Sequence, residues 1–201
     1  PGSPAPDFKV QVLTPDMTFA TRQLSDYKGK YLVVMFYPMD FTFVCPSEII
    51  KFTEAAESLR KHNCEIIVGS CDSHFSHYAW CLQDRNEGGI GVCKCDLFAD
   101  KSCTMAEAYG VLIPGAGVPL RGNFIISDKG IIRSVTVNDL PVGRSVEECV
   151  RVVKAFQHAD KTGCDIPCGW TPENNETITP TIAGMKGVLQ EKLLSDILSA
   201  S

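Results

Sequence analysis

Ten cysteines stand in 201 residues, and one of them, Cys45, has neighbours that could turn a thiol into a nucleophile. It follows the apolar run Tyr31–Tyr37, Y-L-V-V-M-F-Y, which is rich in aromatic and β-branched residues and short enough for a buried strand. Pro38 closes that run, because proline has no N–H to give a strand ladder. After the cysteine come Pro46, Ser47 and Glu48, then apolar residues at helical spacing: Ile49, Ile50, Phe52, Ala55, Ala56 and Leu59. A proline at the first helical position and an acid in the first turn both mark a helix start. A buried strand thus hands over to a helix N-terminus at Cys45. There the first N–H groups are unpaired and the aligned peptide dipoles leave partial positive charge. Such a spot favours the thiolate, which is the attacking species. The competing reading is a small buried hydrophobe, as most free cysteines are. Position alone does not separate the two.

The flanking residues do. Pro38-x-x-x-Thr42-x-x-Cys45, within F-Y-P-M-D-F-T-F-V-C-P-S-E, resembles the active-site motif of the peroxiredoxins, in the form found in the typical two-cysteine subfamily. Further stretches are similar to that family in its order: Phe75–Trp80 (F-S-H-Y-A-W), Gly88–Gly91 (G-G-I-G), Ala108–Leu112 (A-Y-G-V-L), Arg121–Ile126 (R-G-N-F-I-I) and Asn138–Ser145 (N-D-L-P-V-G-R-S). The resemblance runs from about Ala5 to Trp170. It implies a thioredoxin-like fold and a thiol peroxidase acting on hydrogen peroxide and organic hydroperoxides, with no metal, haem or other cofactor. It also implies a homodimer, a decameric ring of such dimers, and recycling by a dithiol protein such as thioredoxin.

The resemblance also assigns roles. Cys45 attacks one peroxide oxygen and becomes a sulfenic acid. The transition state spreads negative charge over sulfur and both oxygens, so it needs fixed donors. Thr42 would hold the peroxide with its hydroxyl, and Arg121 would bind thiolate and oxygen. Pro38 would shield the sulfur without a competing N–H, and Glu48 would orient the arginine, since a carboxylate matches the guanidinium fork. Without the pattern, these would read as a turn threonine, a strand arginine and a helix-start glutamate. Arg144 matches the family as well, but a structural arginine at a helix start explains it equally. Tyr37, Trp80 and Trp170 read as packing residues.

Two departures from the family pattern stand out. A resolving cysteine is expected four residues before the tryptophan, where this chain has Ile166; the segment reads G-C-D-I-P-C-G-W. Cys164 and Cys168 flank that position, and Cys168 is the favoured candidate to attack the sulfenic acid of a partner subunit. The alternative is a one-cysteine cycle closed by an outside thiol. The second departure lies beyond Trp170, where no Phe, Tyr or Trp occurs. Members of the family that are sensitive to overoxidation pair a G-G-L-G loop with a Tyr-Phe helix. This chain has G-G-I-G without the aromatic lock, which implies resistance to sulfinic acid formation.

The rest of the chain supplies the frame. Expected strands are Phe8–Val12, Cys64–Ser70, Cys95–Phe98, and a hairpin of Asn123–Ser127 and Ile131–Val137 around Asp128-Lys129-Gly130. Expected helices run from His74 to Gln83 behind a Ser73 cap, from Ser102 to Tyr109, and from Ser145, where Glu148 completes a capping box. Strands alternating with helices argue an α/β fold, a mixed sheet flanked by helices. Residues 1–159 read as the peroxidase domain and 160–201 as an extended C-terminal arm carrying the candidate resolver. Gly163, Pro167, Gly169, Pro172 and Pro180 break up that arm, and an amphipathic helix over Val188–Leu198 ends it. Such an arm must pack on another body, such as a neighbouring subunit.

Net charge is −5 with pI about 5.4, and no basic run argues for nucleic acid. No apolar run reaches the roughly 20 residues of a membrane span. The opening P-G-S-P-A-P-D-F lacks a charged n-region and an apolar h-region, and a cysteine content below the disulfide-scaffold range suits a reducing compartment. The expected location is the cytoplasm. Cys64, Cys71, Cys81, Cys103 and Cys149 read as buried and inert, and His62, His74, His77 and His158 as surface or packing residues. A four-sulfur zinc set from Cys93, Cys95, Cys164 and Cys168 is conceivable, with nothing else in its favour. A thioredoxin-type reductase is excluded by Glu48, which stands where C-x-x-C would need its second cysteine. The alternative from another class is a holding chaperone of unfolded proteins.

Overall fold

The computed structural model describes residues 1–199, with side chains described for residues 1–190. The chain forms two compact units, Pro1–Val150 and Arg151–Ser201. In the first, β1 (Lys9–Leu13), β2 (Phe19–Gln23), β3 (Tyr31–Phe36), β4 (Cys64–Ser70), β5 (Asp96–Ala99), β6 (Arg121–Ile126) and β7 (Ile132–Asn138) make one sheet. Their order is β2-β1-β5-β4-β3-β6-β7. β3, β4 and β5 are mutually parallel, and the remaining pairs are antiparallel. The parallel strands are joined by α1 (Cys45–Lys61) and α2 (His74–Leu82), as parallel pairing requires. This is the thioredoxin-like mixed sheet that the resemblance implies.

All six residues of β3 are buried, so the strand is covered on both faces. Leu32, Val34 and Phe36 pack with Phe98, Phe124 and the short helix α3 (Thr104–Ala108), through Met105, Ala106 and Tyr109. Val33 and Met35 point the other way by strand alternation. One close approach needs a glycine: a Cβ on Gly69 of β4 would stand 2.1 Å from the Phe98 carbonyl oxygen. The strand β2 was not expected from the sequence. It is an edge strand whose exposed and half-buried residues alternate, so it lacks an apolar run.

The turn between β3 and α1 is tied down from below by a buried network that sequence reading missed. His77, expected to be a surface or packing residue, is fully buried and does have a carboxylate partner. Its Nδ1 lies 2.8 Å from Asp40 Oδ2, across 37 residues of chain, and its Nε2 lies 3.0 Å from the Phe98 carbonyl. Both partners can accept, an arrangement that favours a proton on each ring nitrogen. Burial disfavours that cation, but the hydrogen bond and charge of Asp40 outweigh it and raise the His77 pKa. Tyr37 donates its hydroxyl to Asp40 Oδ1 at 2.7 Å, and the Asp40 N–H donates to Asp72 at 2.9 Å.

Ser73 caps α2, accepting from the Ser76 N–H at 3.2 Å. Ser145 accepts from the Glu148 N–H at 3.1 Å, the serine half of the expected capping box. Cys64, Cys71, Cys81 and Cys149 are buried as expected; Cys103 is half-buried and sits just ahead of α3 with φ +60°. Among the described residues no helix is long and apolar enough to cross a membrane.

The last helix turns of α4 (Val146–Thr162) belong to the second unit, where Gly163, at φ +68°, ends the helix. Asp165 and Ile178 exchange N–H···O bonds at 2.9 Å, closing residues 166–177, with Cys168, into a loop that Cys164 just precedes. Trp170 is buried, with Arg151 Nη1 donating to its carbonyl at 2.9 Å. The helix α5 (Ile182–Ser199) starts ahead of the expected Val188, because Thr181 accepts from the Gly184 N–H at 3.1 Å. Of the side chains that carried the amphipathic reading, Leu189 is exposed, and Leu193, Leu194, Ile197 and Leu198 lie outside the described side chains.

Removing the cation from the Asp40–His77 pair strands a buried carboxylate. His77→Leu is expected to lower unfolding stability by about 3–5 kcal/mol, read as a shift in the urea midpoint. A loss below about 1 kcal/mol would show that Asp40 is not held as a buried ion.

Candidate active site

The sheet explains how Arg121 reaches a cysteine 76 residues earlier. β6 runs antiparallel to β3, with Asn123 opposite Met35. The start of β6 therefore lies beside the end of β3, where the chain turns towards Cys45. β7 then returns past Arg121, which pairs with Asn138, and the next residues, Asp139–Arg144, cross the first turn of α1. Asn138 holds this crossing by donating to the carbonyls of Val142 and Gly143 at 3.2 and 3.4 Å.

Cys45 is the first residue of α1 and Pro46 the second, one position later than the sequence suggested for the proline. The Cys45 side chain is 1% exposed. Arg121 Nη1 donates to Cys45 Sγ at 3.4 Å and to Glu48 Oε2 at 2.7 Å, while its Nε donates to the Leu140 carbonyl at 2.6 Å. Three acceptors thus fix the guanidinium, one of them the sulfur itself. Arg121 sets a buried, positively charged donor against the sulfur at the start of the helix.

Glu48 is the hub of the site. Its Oε1 accepts from Arg144 Nε at 2.8 Å and from the Arg144 N–H at 2.7 Å; its Oε2 accepts from Arg144 Nη2 at 3.1 Å and from Arg121. The second arginine is anchored in turn by Gly122, whose carbonyl accepts from Arg144 Nη1 at 2.6 Å. Its guanidinium also lies 5.9 Å above the Phe52 ring. Burial pushes the Glu48 carboxyl up, but the hydrogen bonds and charge of Arg144, then the charge of Arg121, hold it below its ordinary value.

Of the residues that sequence reading put forward, Cys45, Glu48 and Arg121 are brought into direct contact. Pro38 is buried just past the end of β3. Thr42 is half-buried and donates its hydroxyl to the Met39 carbonyl at 2.8 Å, leaving the oxygen able to accept. Cys164 and Cys168 lie in the second unit; Cys168 is exposed, whereas Cys164 is half-buried with its thiol directed at the Thr162 carbonyl, 3.9 Å away. Arg144, which the sequence left between two readings, makes four hydrogen bonds in this cluster. The Leu140 carbonyl has no sequence signal, because any residue supplies one. Among the described residues no group of three or more His, Cys, Asp or Glu side chains is gathered to hold a metal.

Comparison with known proteins agrees with this geometry. The AhpC/TSA family profile matches residues 1–135, and that of the C-terminal domain of 1-Cys peroxiredoxin matches residues 155–189. A peroxiredoxin of Cynops pyrrhogaster is 53% identical over 185 residues, 92% of each chain, and peroxiredoxin-1 of Gallus gallus is 50% identical over the same share. The reduced crystal structure of a Plasmodium vivax 2-Cys peroxiredoxin superposes with a TM-score of 0.91 at 36% identity, covering 94% of this chain and 97% of that one. Together with the thioredoxin-like sheet, these relatives define the class as a thiol peroxidase. The chain belongs to the AhpC/TSA family, the peroxiredoxins.

The depressed Glu48 carboxyl makes the site acid-sensitive in one direction. Its contribution to stability is fully present above the unfolded value near 4.5 and is lost as pH falls through the lower folded value. Unfolding free energy is therefore expected to drop as pH is lowered beneath about 4.5, and Glu48→Gln should remove that part of the slope while lowering stability at neutral pH. A wild-type and variant pair with parallel pH–stability curves would contradict this.

Proposed function

We propose that Cys45 is the peroxidatic thiolate of a two-cysteine cycle acting on hydrogen peroxide and organic hydroperoxides. The observation that carries the reading is the single Arg121 nitrogen shared between Cys45 Sγ, at 3.4 Å, and Glu48, at 2.7 Å. The Cys45 sulfur attacks the nearer peroxide oxygen as the O–O bond breaks. The sulfur keeps that oxygen as a sulfenic acid, and the other leaves as water or an alcohol after taking a proton. Arg121 stabilises charge developing on sulfur and oxygen, and Thr42 accepts from the peroxide hydrogen through its hydroxyl oxygen. Pro38 keeps competing N–H donors away from the sulfur. Glu48 orients Arg121, and Arg144 holds Glu48 in place.

The second half-reaction falls to Cys168 of a partner subunit. Its thiol attacks the sulfenic sulfur and expels water, forming an intersubunit disulfide. Exposure favours Cys168 over Cys164, whose thiol is engaged with its own helix end. Since Cys45 is 1% exposed, the first turn of α1 must open for this attack. The residue before it, Val44, offers no side-chain cap to hold Cys45 at the helix start. A dithiol protein of the thioredoxin type restores both thiols by exchange. Overoxidation is slow, because the chain beyond Trp170 has no aromatic residue to lock the arm over the site. The working unit is a homodimer that assembles into a decameric ring in the cytoplasm, a reading supported by the whole-chain likeness to 2-Cys peroxiredoxins.

One equivalent of hydrogen peroxide followed by non-reducing peptide mapping tests the cycle. The expected product is a Cys45–Cys168 link between chains, lost in Cys168→Ser and kept in Cys164→Ser. Cys45 recovered only as an oxidised acid would establish a one-cysteine cycle instead, and an unmodified Cys45 would remove the peroxidase assignment.

A further inference from the structure

Among the described residues, five that are not glycine have a positive φ: Met17, Phe41, Asn63, Cys103 and Asn175. Asparagine tolerates that left-handed region, because its short polar side chain bonds locally, whereas a bulky side chain there is strained. Phe41 is the one that stands between the central strand and Cys45. Its φ is +56°, at the second position of the turn Asp40–Phe41, where glycine is the usual residue.

The residues on either side hold Phe41 there. Before it, Asp40 is fixed three times: its N–H donates to Asp72 at 2.9 Å, and its carboxylate meets the Tyr37 hydroxyl at 2.7 Å and His77 Nδ1 at 2.8 Å. After it, the Thr42 hydroxyl donates back across the turn to the Met39 carbonyl at 2.8 Å. The Phe41 ring is 53% exposed and lies on Trp80, with centroids 5.5 Å apart. Burial therefore does not demand the left-handed backbone. The bonds at Asp40 and Thr42 impose it, and the closed turn carries the strain.

These anchors are unequal. Asp40 is tied to the end of β4, through Asp72, and to α2, through His77. Thr42 is bonded back onto the turn itself. When the first turn of α1 unwinds, the chain from Thr42 onward can move while Asp40 stays in place. Phe41 is the first backbone position at which that segment can pivot, and the opened turn lets its φ return to negative values.

We propose that Phe41 is a positioning residue, the hinge of the peroxidatic turn: its left-handed backbone strains the closed form, and opening releases that strain as it uncovers Cys45. The left-handed region disfavours a non-glycine residue by roughly a factor of 5–30, which is the order by which the strain shifts the balance towards the open form. Opening gives Cys168 of a partner subunit its access to the sulfenic sulfur; that consequence rests on the two-cysteine cycle proposed above, and the hinge itself does not.

The test compares Phe41→Ala, Phe41→Asn and Phe41→Gly in the full-length reduced protein, without peroxide. All three lose the ring on Trp80, and they differ in how well they tolerate the left-handed backbone. Iodoacetamide reaches Cys45, which is 1% exposed, as the turn opens, and the exposed Cys168 reports the reagent's rate on an accessible thiol. Peptide mapping follows both. Cys45 should be labelled fastest in the alanine variant, more slowly in the asparagine variant and slowest in the glycine variant. The glycine variant should be about two- to five-fold slower than the alanine variant, because the freedom glycine gains in the open form offsets part of the relieved strain. Equal rates in the three variants would show that only the ring matters and would overturn the proposal, as would faster labelling with glycine than with alanine. Circular dichroism matched to the wild type shows that each variant is folded. After one equivalent of hydrogen peroxide, disulfide formation should follow the same order. Labelling in the expected order without any disulfide would count against the two-cysteine cycle and leave the hinge in place.

Discussion

The site depends on one buried carboxylate. Glu48 is 3% exposed and accepts four hydrogen bonds from two arginines. Burying two guanidinium groups near a sulfur is costly unless their charge is answered. Glu48 answers both, and its geometry leaves one nitrogen of Arg121 directed at Cys45. Without the carboxylate the two cations would repel each other and Arg121 would lose the partner that aims it. The donor that acts on the sulfur is therefore placed by a residue that never touches it.

The fold delivers these groups to one place by simple means. A central strand buried on both faces ends at a proline, and the following turn is pinned by the Asp40–His77 ion pair. The antiparallel partner strand begins where the central strand ends, which sets Arg121 beside the helix start. The returning strand then carries the Leu140 carbonyl to Arg121 and the Arg144 side chain to Glu48. Sheet, turn and helix each supply one part. Cys45 itself is the first residue of the helix that follows the turn.

What could be read from the sequence was what is local. The buried strand at Tyr31, the helix beginning at Cys45, the Ser73 cap and the hairpin around Asp128-Lys129-Gly130 all follow from periodicity and turn chemistry within about ten residues. Glu48 and Arg121 were reachable only through resemblance, because 73 residues separate them and nothing near either announces the other. Arg144 stayed undecided for the same reason: a helix-start arginine looks alike whether or not a carboxylate lies across the fold. The Asp40–His77 pair was missed outright. It depends on which residues the sheet brings together, and β2 escaped because an edge strand has no apolar run to announce it.

The most direct measurement of the central claim is a double-mutant cycle on the pre-steady-state rate of peroxide reduction, using Arg121→Ala, Arg144→Ala and the double variant. If Arg144 acts only through Glu48 and Arg121, removing it should slow the wild-type enzyme and have little further effect once Arg121 is gone. The coupling between the two sites should then be about 1 kcal/mol or more. Losses that simply add would mean that Arg144 acts on the peroxide or the sulfur by itself, and would contradict the account.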